Sequence, residues 1–136
     1  DDLSKVGFQE VIDDEGLTKK NVKRIAFCSG KLYYDLIQGR EERKSKDVAI
    51  VRIEQLYPFP KKQIDKLIKS YPAAKDIVWA QEEPENMGAW SYLNRTWDSG
   101  EVRFVGRHES GSPASGSMAR FNQRQQQIIE TVFEKA

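Results

Sequence analysis

Residues 48–60 read Val48-Ala49-Ile50-Val51-Arg52-Ile53 and then Glu54-Gln55-Leu56-Tyr57-Pro58-Phe59-Pro60. The first six are rich in β-branched side chains and follow Asp47, the clearest strand pattern in the chain. The Tyr57-Pro58-Phe59-Pro60 stretch ends it, because proline removes a backbone donor and fixes φ. Pro60 suits the first position of a following helix, where its missing N–H costs nothing. Ile64, Leu67 and Ile68 give that helix one apolar stripe.

The same unit recurs on both sides of this stretch. Upstream, Arg24-Ile25-Ala26-Phe27-Cys28 reads as a buried strand closed by Ser29-Gly30. Leu32, Tyr33, Leu36 and Ile37 then follow helical spacing toward a solvated end at Arg40–Lys44. Downstream, Ile77-Val78-Trp79-Ala80 is a third strand, closed by Gln81-Glu82-Glu83-Pro84. Met87–Trp97 carries Trp90, Leu93 and Trp97 at helical spacing. Val102-Arg103-Phe104-Val105 is a fourth strand ended by Gly106. A Gly/Ser-rich stretch, Ser110–Ser117, leads to a last helix with Ile128, Ile129, Val132 and Phe133 on its apolar face. Strand and helix alternate in units of about 25–30 residues, a rhythm that favours parallel strands joined by right-handed helical crossovers. The expected fold is a three-layer α/β domain with a mostly parallel sheet over residues 22–136. Residues 1–21 read as a charged lead-in segment or linker with one edge strand near Phe8–Ile12.

Composition limits the function classes. The 136 residues carry 22 Lys+Arg against 21 Asp+Glu, a net charge of +1, which argues against a dedicated nucleic-acid binder. The apolar runs are only a few residues long, so none is a membrane span. A single cysteine and a single histidine build neither an internal disulfide nor a zinc site. The first residue is Asp1, and Asp1-Asp2-Leu3-Ser4-Lys5 reads as a cut end rather than a targeting leader.

In sheets of this kind ligands and partners meet the carboxyl ends of the strands. Ser29-Gly30-Lys31 sits there, at a strand-to-helix turn where free N–H groups and a lysine attract anions, although the P-loop spacing is absent. Cys28 is either a thiol activated at a helix start or a small core residue. Arg107, Ser110 and Ser112 lie in a glycine-rich loop ahead of the last helix. They either cradle a phosphate or carboxylate with Ser29 and Lys31, or belong to an ordinary connection. Glu82 and Glu83 are adjacent on a strand end, so their side chains point to opposite faces and do not form a converging acid–base pair. Tyr57, Phe59 and Trp90 leave strand ends as large apolar groups, which suggests an interface shared with Glu82 and Glu83. His108 has no partner at a recognisable catalytic spacing.

Four segments together carry a resemblance. They are Phe27-Cys28-Ser29-Gly30-Lys31 with Tyr33-Tyr34; Val51–Pro60; Trp79–Pro84 with Asn86-Met87-Gly88-Ala89-Trp90; and Gly106-Arg107 with Ser112-Pro113-Ala114. Over residues 21–134 this pattern resembles the extreme C-terminal region of the decarboxylating component of 2-oxoglutarate dehydrogenase, in the transketolase-like group. The resemblance implies a transketolase C-terminal-domain-like fold within a polypeptide several times longer. Thiamine diphosphate and Mg²⁺ would bind between upstream domains at a homodimer interface, with none bound by this region. The reaction implied is oxidative decarboxylation of 2-oxoglutarate, with the succinyl group passed to a lipoyl-bearing succinyltransferase component.

The resemblance also implies a bacterial cytoplasmic or mitochondrial matrix location, and a structural, dimer-interface or regulatory role for this region. No Gly-Asp-Gly followed by Asn-Asn is present, so no catalytic residue carries over. The family's frequent histidine early in the last helix is absent at Phe121 and Asn122. A 2-oxoadipate-specific relative shares the pattern. A stand-alone α/β module for a nucleotide or acyl-CoA and a purely structural dimerisation domain are the rival readings.

Overall fold

The computed structural model describes residues 11–14, 16–54, 59–97, 101–107 and 118–134; the side chains of Arg107 and 118–122 lie outside that description. Five strands form one sheet: β1 (Val11–Ile12), β2 (Arg24–Cys28), β3 (Val48–Ile53), β4 (Asp76–Pro84) and β5 (Val102–Arg107). Their order is β1-β3-β2-β4-β5. The pairs β2/β3, β2/β4 and β4/β5 are parallel, and only β1 runs antiparallel, against β3. Four helices connect or cover them: α1 (Leu32–Arg43), α2 (Lys61–Lys69), α3 (Trp90–Thr96) and α4 (Met118–Val132). The chain is a three-layer α/β domain with a mostly parallel sheet.

Alternation along the strands divides the core in two. Val48 and Ile50 of β3, with Ala26, Cys28, Val78, Ala80 and Val105, face α1 and α4 through Leu32, Leu36, Ile128, Ile129 and Val132. Ala49, Val51 and Ile53, with Ile25, Phe27, Ile77 and Trp79, face α2 and α3 through Ile64, Trp90, Leu93 and Trp97. Both faces being covered explains why Ile25–Cys28 and Val48–Val51 read as unbroken apolar runs.

Three boundaries differ from the sequence reading. β4 continues through Gln81–Pro84 rather than stopping at Ala80, with a register shift between Ala80 and Pro84 beside β5. β5 likewise passes Gly106. A Cβ there would stand 2.6 Å from the Gln81 carbonyl oxygen, so this glycine serves close strand approach at the irregularity and not a turn. Pro60 is the residue before α2 instead of its first; its carbonyl accepts from Ile64 N–H at 3.1 Å.

The edge strand expected in the lead-in is β1, and the segment after it is tied down by two carboxylates. Buried Asp14 accepts from Ile50 N–H at 3.0 Å and from Arg40 Nη1, so its side chain continues the edge pairing where β1 ends. Asp13 accepts from Tyr71 OH at 2.5 Å and Lys19 Nζ at 2.7 Å. At the amino edge of the sheet, buried Arg24 donates to Asp76 and to the carbonyls of Val132 and Glu134, closing the end of α4.

Candidate functional site

The chain leaves β2 for β3 on one side and then returns to place β4 on the other. The strand order therefore reverses between β2 and β4, and the crevice beyond their carboxyl ends is where such sheets take ligands. A cleft of about 290 Å³ occupies that crevice, lined by Ser29–Leu32, Trp79–Glu83 and Ala89. Gly30 turns the chain from β2 into α1 at φ +66°, the left-handed region glycine enters freely.

Gln81 organises the far wall. Its side chain is buried, with Oε1 accepting from Trp79 Nε1 at 2.9 Å and from Trp90 N–H at 3.0 Å. Its Nε2 lies 3.1, 2.9 and 2.8 Å from the carbonyl oxygens of Glu83, Pro84 and Met87. One amide thus fixes residues 83–90 into a turn. Gly88 allows this turn to close at φ +65°, over a Glu83 side chain 3.0 Å from where a Cβ would sit. The sequence reading passed over Gln81; its signal is a polar residue two places after Trp79 on the face of β4 that packs against α3.

Glu82 and Glu83 do take opposite faces. Glu82 accepts from Gln125 Nε2 at 2.8 Å, and the same nitrogen donates to Asp35 Oδ2 at 2.9 Å, so Glu82 joins β4 to α4 and α1. Glu83 packs under Gly88. Both line the cleft with Ser29 and Lys31.

β4 lies between β2 and β5, so the Ser29-Gly30-Lys31 turn and the end of β5 are not on neighbouring strands. The turn meets the carboxylate-bearing end of β4 instead. Arg107 pairs with Pro84 through its backbone register; its side chain, with Ser110 and Ser112, lies outside the described residues.

The aromatic groups expected at an interface separate. Trp90 is only 8% exposed, with its ring 5.7 Å from that of Phe104, so it belongs to the domain's own core and does not offer a surface to a neighbour. The reason is geometric: Trp90 and Leu93 of α3, with Trp97 just beyond its end, form one apolar stripe, and this sheet consumes it. Phe59 is half-buried against Trp97 at 5.4 Å. Tyr57 lies outside the described residues. Cys28 is core: burial pushes its thiol up to about 12, with nearby Arg52 pulling weakly the other way.

Beside the cleft, Arg52 at the end of β3 builds a second group. Its Nη1 donates to Tyr34 OH at 3.0 Å and its Nε faces Glu54 Oε2 at 2.6 Å. The guanidinium carbon is 5.4 Å from the centroid of the Tyr33 ring and 5.2 Å from that of Tyr34.

A family model described as 2-oxoglutarate dehydrogenase C-terminal matches residues 1–133. The chain belongs to this family. It is 44% identical over 98% of its length to a 2-oxoglutarate dehydrogenase E1 component of Cupriavidus necator, and 43% identical over 96% to that of Haemophilus influenzae. It spans only 15% and 14% of those two proteins. Among solved structures, a split-gene transketolase described as an inactive β4 tetramer aligns with 82% of this chain and 37% of its own. The TM-score is 0.55 at 13% identity, a likeness of fold alone. The fold is therefore transketolase-like. No helix among the described residues is long and apolar enough to cross a membrane.

Thiamine diphosphate with Mg²⁺ does not fit the cleft. A diphosphate needs converging N–H groups and cations, and the cleft presents two carboxylates, Glu82 and Glu83, beside Lys31. Among the described residues no three His, Cys, Asp or Glu side chains group to hold a metal.

Proposed function

We propose that this chain works as the C-terminal α/β domain of a thiamine diphosphate-dependent E1 polypeptide that decarboxylates 2-oxoglutarate. The succinyl group passes to a lipoyl group on a succinyltransferase partner. The observation that carries this is the 44% identity over 98% of the chain to an E1 component. Within that polypeptide the domain is a scaffold and interface, and cofactor and metal are held elsewhere. The geometry supports that division. Two polar side chains at the switch crevice are engaged in holding the fold, Gln81 binding its own turn and Glu82 binding Gln125. Among the described residues a nucleophile, base and acid do not converge there.

The test is direct. The intact polypeptide, supplied with thiamine diphosphate and Mg²⁺, should release CO₂ from 2-oxoglutarate faster than from 2-oxoadipate. Preference for 2-oxoadipate would reassign the substrate, and turnover of neither would overturn the reading. Calorimetric titration of the 136-residue chain with cofactor and Mg²⁺ should give no binding heat; micromolar affinity would place the cofactor here after all.

A further inference from the structure

The chain as a whole carries a net charge of +1, yet one of its faces gathers lysines. Lys62, Lys66 and Lys69 lie four and three residues apart on α2. They form one exposed row about 10 Å long, on the side of the helix away from buried Ile64. Lys19 Nζ lies 3.0 Å from Ser70 Oγ, which sets the turn carrying exposed Lys20 against the end of that row. Lys23, also exposed, follows in the approach to β2. The carboxylates of the same segments are already engaged. Asp65 pairs with Lys61 at 2.9 Å, Asp76 with Arg24 at 2.6 Å and Arg103 at 2.8 Å, and Asp13 with Lys19 at 2.7 Å. Asp47 borders Lys23, whose N–H donates to its carbonyl at 2.7 Å, and the exposed Lys46 beside it offsets its charge. Lys20, Lys23, Lys62, Lys66 and Lys69 thus present ammonium groups with no ion-pair partner among the described residues.

The make-up of the row selects among anionic partners. Nucleic-acid surfaces combine arginine forks with aromatic stacking, but the row is lysine throughout and Tyr71, two residues after Lys69, is buried. Membrane-surface sites pair basic residues with apolar anchors. The exposed large apolar groups among the described residues, Tyr34 and Met87, belong instead to α1 and to the turn after β4. An acidic protein surface fits. Lysine is depleted from the centre of stable interfaces, whereas solvated ammonium groups steer an encounter and release it readily. We propose that the lysine row of α2, continued by Lys20 and Lys23, is the docking surface for an acidic partner protein that visits this domain transiently.

The test uses the intact polypeptide. The probe is fluorescently labelled poly-L-glutamate, with phosphatidylserine-containing vesicles and duplex DNA as competing polyanions. Poly-L-glutamate should bind, and its affinity should fall about tenfold between about 50 and about 200 mM NaCl as screening shortens the reach of the charges. Lys66→Glu with Lys69→Glu should weaken binding about tenfold, whereas Lys66→Arg with Lys69→Arg should keep it. Arg43→Glu with Lys44→Glu changes the net charge equally, from exposed positions at the end of α1 on the opposite face of the sheet. That control should leave affinity within about twofold of the parent. Equal losses from the two double reversals would reduce the effect to net charge. No binding by the parent would show that the row is covered in the longer polypeptide. Tighter binding of vesicles or DNA would give the surface to another class of molecule. Each of these three results overturns the proposal.

Discussion

Replacing Gln81 with leucine removes an amide whose shape the core could nearly accommodate and leaves its partners behind. Trp79 Nε1 and Trp90 N–H, both buried, lose their acceptor. The carbonyls of Glu83, Pro84 and Met87 lose their donor, although the turn that carries them can open to water. An orphaned buried donor costs about 1–3 kcal/mol, so two give ~3 kcal/mol near the lower half of that range. At about 2.1 cal/mol/K per residue, 136 residues have an unfolding entropy of roughly 0.3 kcal/mol/K. The expected fall in Tm for Gln81→Leu is therefore about 10 °C. Hydrogen exchange should locate the damage, with the amides of 85–90 losing protection while those of β2 keep theirs. Gln81→Glu sharpens the test. It keeps an acceptor for the two tryptophan donors but points an oxygen at three carbonyls, and burial there raises the new carboxyl's pKa. A raised folded pKa gives stability that is present below the unfolded value and lost as pH climbs through the folded one. The Tm gap between Gln81→Glu and the parent chain should be smaller at pH 5 than at pH 7.5. A Tm change under 2 °C for Gln81→Leu, or a gap for Gln81→Glu that does not vary with pH, would show that this amide does not hold the turn.

Other perturbations probe the frame around the crevice. Arg103 and then Arg24 hold the Asp76 carboxyl below its usual range, so its contribution is present above about pH 4 and fades as pH falls through the folded value. Asp76→Asn should thus lower Tm at pH 7 and flatten the acid limb of the Tm–pH curve; an unchanged acid limb would deny the linkage. Gly39→Ala places a Cβ 2.6 Å from Ile129 Cγ2, where overpacking exceeds the gain in helix propensity. A net loss of about 1 kcal/mol by denaturant titration is expected, and a gain would mean that α1 and α4 are less closely packed. Cys28, buried with its thiol pushed up to about 12, should resist a thiol reagent at pH 8 until the chain unfolds. Stoichiometric labelling of the folded chain would place it outside the core.

Much of the fold was legible because its central strands are covered on both faces. Ile25–Cys28 and Val48–Val51 are continuous apolar runs for that reason, and glycine and proline follow them in the sequence. The order of strands was not legible, and the candidate site depended on it. Periodicity places Ser29 and Arg107 at carboxyl ends but does not say that β4 stands between them. Nor does helical spacing say what covers a stripe, so Trp90 read as an outward aromatic when its own sheet buries it. The run Gln81-Glu82-Glu83-Pro84 read as a strand end because its side chains are polar. Glu82 has a distant partner, Gln125, and Gln81 binds the turn that follows it, neither of which periodicity supplies. Asp14 and Arg24 were hidden in the same way, as charges in charged surroundings whose burial only the fold creates.

The two edges of the sheet carry different kinds of polar residue, and this difference argues for how the domain is used. At the amino edge, Arg24 and Arg103 share the Asp76 carboxylate and Arg24 also closes the terminal carbonyls of α4, so these groups find their partners within the domain. At the carboxyl edge the bracing groups, Gln81 and Arg52, instead hold turns and rings that project into solvent, Met87 on one side of the crevice and Tyr34 on the other. Burial does not stabilise such exposed groups, and their fixed geometry lowers the entropy lost in any docking. Among the described residues of that edge, Glu82 is bound to Gln125 and Glu83 is packed under Gly88. The edge that in related sheets receives ligands therefore spends these described carboxylates on holding β4 and the turn that follows it.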